Sequence, residues 1–158
     1  MLHRRGFIER AAVLAAAALL GVGVPRRLLA QMRPEVIAPI GRRASVVDYS
    51  IPAADGVQID RANEVILIRW RGTVVAFDLA CPHQRAPLRW IAQDSRFECP
   101  KHHSHYTPDG SYISGRSTRA MDRLGISRSG AIVHVDLNVI YEQPRQPAAW
   151  KAAQITVE

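Results

Sequence analysis

Cysteine is almost missing from this chain of 158 residues: Cys81 and Cys99 are the only two. At most one disulfide is possible within the chain, so a disulfide-rich scaffold is excluded. Aromatic residues make up 6% of the sequence against 47% hydrophobic residues in all, so the core is expected to be mostly aliphatic. A long basic run is absent too. The formal charge is +7, but Arg4, Arg5, Arg10, Arg26 and Arg27 stand against Glu9 alone in residues 1–30, which leaves +3 for the rest. That scattered remainder speaks against nucleic-acid binding. No internal repeat and no long low-complexity segment is present, and the length suits one compact domain.

What is there is concentrated. Each cysteine stands beside a histidine, in Cys81-Pro82-His83 and in Cys99-Pro100-Lys101-His102. The pattern is C-x-H, fifteen residues, then C-x-x-H. Two thiolates and two imidazoles from two loops are a metal-binding set. Three readings compete. A single disulfide would leave the matching histidines unexplained. Zinc accepts two cysteines and two histidines, but zinc fingers usually pair cysteine with cysteine and histidine with histidine. Here each loop supplies one of each, and the third reading rests on the family resemblance that follows.

This spacing resembles the Rieske family, and the likeness runs over roughly Val65 to Val139. The resemblance implies an all-β fold of small antiparallel sheets with two cluster-binding loops at one tip. It implies that Cys81 and Cys99 hold the inner iron of a [2Fe–2S] cluster, and His83 and His102 the outer iron. It also implies that Ser104 and Tyr106 donate hydrogen bonds to a cluster sulfide and a cysteine sulfur, which raises the reduction potential. The chain departs from the quinol-oxidising members of that family. Ala86 and Lys101 stand where those members have a disulfide, and His103 stands where glycine is common. Ser114-Gly115-Arg116-Ser117-Thr118 replaces a proline-rich shielding loop. These departures bear on quinol oxidation and leave cluster binding untouched. C-x-x-H is satisfied by His102 alone, so His103 is not expected to be a ligand, and His105 is expected at the surface or in a local hydrogen bond. Arg85, Arg89, Lys101, Arg116, Arg119 and Arg123 surround the loops and are candidates for docking an acidic partner.

The amino terminus reads as an address. His3-Arg4-Arg5-Gly6-Phe7-Ile8-Glu9 precedes an apolar run from Ala11 to Val24. Paired arginines before a weakly hydrophobic stretch resemble a twin-arginine export signal, a route for proteins already folded. As a helix that run would span about 21 Å, short of a hydrocarbon core of roughly 30 Å. Leu28, at the third position before a cut after Ala30, argues against cleavage, so a retained membrane anchor is expected. The domains are then a signal or anchor at 1–30 forming a hydrophobic helix, a linker at 31–43 and the cluster domain at 44–158.

Within that domain Ser45 to Tyr49, Val65 to Trp70, Thr73 to Leu79, Arg96 to Glu98 and Ala131 to Tyr141 are predicted strands. Arg71-Gly72 is a hairpin turn. Ile132, Val133, Val135, Leu137, Val139 and Ile140 are the apolar positions of the last of these strands, and His134 and Asp136 alternate with them and are expected to face water. Gln143 to Ala149 reads as irregular, and the last six residues as an edge strand. The resulting function is one-electron transfer on the periplasmic side of the bacterial cytoplasmic membrane, in a subunit of a respiratory oxidoreductase. Its partners would be a larger oxidoreductase subunit, as in arsenite oxidases, a cytochrome c-type acceptor, or a quinol. A free-standing exported carrier or sensor and a zinc-stabilised binding module are the alternatives.

Overall fold

The computed structural model describes residues 45–157. The expected signal or anchor helix at 1–30 and the linker at 31–43 lie outside the described residues. Among the described residues, no helix is long and apolar enough to cross a membrane.

The described residues are mostly strand, and every pairing is antiparallel. In chain order they are β1 (Val46–Ser50), β2 (Gly56–Asp60), β3 (Val65–Trp70), β4 (Thr73–Asp78), β5 (Arg89–Ile91), β6 (Arg96–Cys99), β7 (Ser104–Tyr106), β8 (Tyr112–Ser114), β9 (Arg123–Ser129), β10 (Ile132–Tyr141) and β11 (Ile155–Thr156). A short helix α1 (Pro147–Ala152) precedes β11. The larger sheet runs β1-β10-β9-β4-β3-β2, with β11 also on β4. The smaller runs β5-β6-β7-β8.

The β3–β4 hairpin is the centre of the fold. Its β-branched runs suit a pleated surface. Arg71 and Gly72 both take left-handed backbone, at φ 48 and 74. That is the two-residue turn whose twist matches the flanking strands. Both faces of the hairpin are covered. Val65, Leu67, Val74 and Ala76 join Tyr49, Leu124, Val133 and Val135 in one core. The alternating residues Ile66, Ile68, Val75 and Phe77 join Phe97, Tyr106, Met121 and both cysteines in the other. This second core lies between the sheets. It departs from the aliphatic expectation, because Trp70, Phe77, Trp90, Phe97 and Tyr106 all gather there. Phe77 of β4 meets Phe97 of β6 edge to face at 5.9 Å, and Trp70 of β3 meets Trp90 of β5 at 6.0 Å.

Other differences have local causes. Ile132 and Ile140 are 37% and 43% exposed, not buried. Along β10 they share the phase of His134 and Asp136, and the ladder to β9 is irregular between Asp136 and Ile140. Part of the expected irregular stretch is α1, with Pro147 in its first turn, where a missing N–H costs nothing. Trp150 explains its docking: the indole N–H donates to the Met121 carbonyl at 2.7 Å.

The turn yields a direct test. A Cβ on Gly72 would lie 3.2 Å from the Val157 carbonyl oxygen and would force a side chain onto left-handed backbone. Gly72→Ala should therefore lower unfolding stability by about 1–2 kcal/mol. Arg71→Asn, which places a residue tolerant of that backbone beside it, should be neutral or stabilising. Urea melts of the two variants check both signs.

Candidate functional site

The two cysteine loops grow from different sheets. The first follows β4 of the larger sheet. It is closed by backbone bonds from Arg85 N–H to the Cys81 carbonyl and from Cys81 N–H to the Ala86 carbonyl, both 2.8 Å, and by a bridge between Ala80 and Pro87. Asp78 anchors its base, accepting from the Ala80 N–H at 3.0 Å and from Arg85 at 3.4 Å. The second loop is the β6–β7 hairpin of the smaller sheet. Cys99 pairs with Ser104, and the His103 N–H donates to the Cys99 carbonyl at 2.9 Å. Arg85 and His103 both take left-handed backbone, at φ 52 and 51.

The loops bring the four expected donors together. Cys81 and Cys99 are free thiols, both buried. Burial pushes the Cys81 thiol up, and the Cys99 thiol beside it adds to this. The hydroxyl of Tyr106 and the backbone N–H of His83 pull the other way. His83 and His102 stand edge to face with ring centres 5.0 Å apart. The Nδ1 atoms of both rings are buried and have no hydrogen-bond partner. Burial, with the charges of His83, Arg116 and Lys101, holds His102 below the usual imidazole range, which favours the neutral ring that a metal needs. Among the described residues, no three His, Cys, Asp or Glu side chains converge as a single metal ion would require. The side chains stand as two pairs, Cys81 beside Cys99 and His83 beside His102.

Residues 46–129 match the model of the Rieske [2Fe-2S] domain, which is more than half of the chain. The chain belongs to the Rieske [2Fe-2S] domain family. Its cofactor is therefore a [2Fe–2S] cluster, and its chemistry is Rieske electron transfer. Among solved structures the chain is similar to the cyanobacterial plasma membrane Rieske protein PetC3 from Synechocystis PCC 6803. Identity there is 20% and the TM-score 0.42, over 50% of this chain and 82% of that one. It is also similar to a chain of a hyperthermophilic respiratory Complex III, at 23% identity and TM-score 0.42, over 78% of this chain and 98% of that one. No curated protein matches.

The residues around the Rieske site sort clearly. Tyr106 is fully buried and its hydroxyl lies 3.3 Å from Cys81 Sγ. Burial and the bond to Cys81 raise its pKa, so it stays protonated. Ser104 is also buried, and its Oγ accepts from the Ser117 N–H at 2.9 Å. That fixes the oxygen and leaves its own proton to offer. His103 turns its Nδ1 to Glu98 at 3.2 Å, and His105 turns its Nδ1 to Ser114 at 3.0 Å. Burial pushes Glu98 up, but its bonds to Arg89 and His103 prevail and hold it below the usual carboxylate range.

Arg123 was expected to face a partner and does not. It is buried, stacks on Trp150 at 3.9 Å and donates to the carbonyls of Asp109 and Trp150. Desolvation lowers it to about 10. Sequence reasoning also missed two residues. Gly115, at φ 103, brings its backbone so close to the second loop that a Cβ would lie 2.4 Å from the His103 carbonyl oxygen and from Ser104 Cα. Ser117 then reaches Ser104. The glycine was readable as an irregularity in the shielding segment, whereas Ser117 acts through its backbone and leaves no signature.

Deleting one of these donors should lower the midpoint potential. A net hydrogen bond to a charged group contributes about 1.5–3 kcal/mol, so Tyr106→Phe should shift a one-electron couple down by roughly 65–130 mV at most. Ser104→Ala should act in the same direction. Gly115→Ala should also lower the potential, by moving Ser117 off Ser104, and should add nothing in the Ser104→Ala background. Redox titration followed by electron paramagnetic resonance measures all four. Additive shifts would separate Gly115 from Ser104.

Proposed function

We propose that this chain is the electron-relay subunit of an exported, membrane-attached oxidoreductase. Cys81 and Cys99 would hold one iron as thiolates, and His83 and His102 the other through Nδ1. The observation that carries the ligand assignment is the pair of buried Nδ1 atoms without partners. An unsatisfied buried ring nitrogen is costly, and two of them on rings 5.0 Å apart ask for a metal. When bound, the cluster takes up and gives back single electrons.

The chain's own residues then have distinct tasks. The thiols sit deep, where Tyr106 and the His83 backbone stabilise negative charge on sulfur. The histidines sit outside them, and both rings are half-buried. Their edges are the route by which a partner would exchange electrons. The absent disulfide and the changed shielding segment favour a relay to a larger oxidoreductase subunit or a cytochrome c-type acceptor over quinol oxidation. Residues 1–30 would be a twin-arginine signal retained as an anchor, residues 31–43 a linker, and residues 44–158 the cluster domain, held on the periplasmic side.

Ligand variants test the assignment. Cys81→Ser, Cys99→Ser, His83→Ala and His102→Ala should each abolish the Rieske signal and lower bound iron. His103→Ala and His105→Ala should retain both. Survival of the signal in His102→Ala together with its loss in His103→Ala would overturn the register. A second experiment addresses export. Arg4→Lys with Arg5→Lys should trap protein with an assembled cluster in the cytoplasm, scored by cell fractionation and by the resonance signal. Normal export of the double variant would exclude the twin-arginine route.

A further inference from the structure

Four of the six basic residues around the loops are already engaged. Arg85 pairs with Asp78 at 3.4 Å, Arg89 with Glu98 at 2.9 Å and Arg119 with Asp122, while Arg123 is buried. Lys101 and Arg116 are different. Both are exposed, and among the described residues neither has an ion-pair partner. They also flank one place. Lys101 immediately precedes His102. Arg116 is brought to the same loop by the close approach of Gly115 to His103 and Ser104 and by the Ser117–Ser104 bond. The charges of both reach the His102 ring.

A single electron passes only where a partner comes close to the cluster, so the face around the histidines is the face that must be approached. We infer that this face, with Lys101 and Arg116 flanking His102, docks a redox protein whose own contact surface is acidic. This rests on the relay reading above. The local arrangement is what selects the partner. Residues 45–157 hold thirteen Lys and Arg against eleven Asp and Glu, so the domain as a whole carries little charge to steer with. Glu98 is the carboxylate nearest in sequence to this loop, and it is buried and neutralised by Arg89. Two unpaired cations favour a carboxylate-bearing surface and repel a basic one.

The test uses the reduced, cluster-loaded protein and two probe acceptors of opposite charge, an acidic plastocyanin and a basic mitochondrial cytochrome c. Stopped-flow oxidation by the plastocyanin should be fast at low salt and slow as salt rises, whereas cytochrome c should show no such acceleration. Lys101→Gln with Arg116→Gln should slow the plastocyanin reaction about three- to tenfold at low salt and flatten its salt dependence. The control removes the same charge elsewhere. Arg71 lies at the far end of β4 from the first loop, and Arg128 near the end of β9 away from Phe77, each strand spanning about 17–20 Å. Arg71→Gln with Arg128→Gln should leave the rate within about twofold. Equal slowing by the two double variants, or faster low-salt reaction with cytochrome c, would overturn the inference. Midpoint potentials of all variants are measured alongside, so that a changed driving force is not read as changed docking. If neither probe nor ferricyanide oxidises the reduced protein, the relay reading itself fails, which is a separate outcome.

Discussion

The four proposed donors of the cluster come from loops rooted in two different sheets, so the site exists only while those sheets hold a fixed relation. Two edge-to-face aromatic pairs cross the seam, Phe77–Phe97 and Trp70–Trp90. Tyr106 crosses it as well, from β7 beneath the second loop to Cys81 in the first. Each aromatic pair contributes about 0.5–1.5 kcal/mol beyond the burial of its rings. A disulfide typically contributes 2–4 kcal/mol. The seam is thus of the right order to replace a covalent staple between the loops, which Ala86 and Lys101 exclude. It also explains why so few aromatic residues are spent elsewhere in the core.

The second loop is held against a local cost. A non-glycine residue in left-handed backbone is disfavoured by roughly 1–2 kcal/mol, and Arg85 and His103 put one in each loop. The surroundings fix both. Arg85 is tied to Asp78 and bonded to the Cys81 carbonyl. His103 is bonded to the Cys99 carbonyl through its N–H and to Glu98 through its ring. Gly115 then closes over the His103 carbonyl at a distance no side chain allows. The position often occupied by glycine moves by function, not by place: histidine tolerates the strained backbone at 103, and the glycine is needed at 115, where two backbones touch.

Much of this was legible in the residues, and the failures have several causes. Long β-branched runs announced β3, β4 and β10, and cysteine and histidine spacing announced the site. Strands of three residues such as β5, β7 and β8 carry too little pattern to be read. Their pairing is set by neighbours distant in sequence. Ile132 and Ile140 misled because apolar character was counted without regard to phase, and in a strand only alternate residues share a face. Arg123 misled for a similar reason. A basic residue near a site looks like a docking residue until its burial against Trp150 is known. The contact of Tyr106 with Cys81 was readable because a side-chain hydroxyl makes it, whereas Ser117 was not, because any residue but proline supplies an N–H.

Cluster binding closes the same seam from the other side. In the proposed ligation each iron takes one residue from each sheet: Cys81 with Cys99, and His83 with His102. Every iron is then itself a bridge across the interface that Phe77, Phe97, Trp70 and Trp90 hold by packing. Free energy of metal binding becomes free energy of folding when the ligands are assembled only in the folded chain. The buried thiols and unpartnered Nδ1 atoms are polar groups whose burial the proposed ligation would offset. Ligation of both pairs would then add to the stability that aromatic packing already gives the seam.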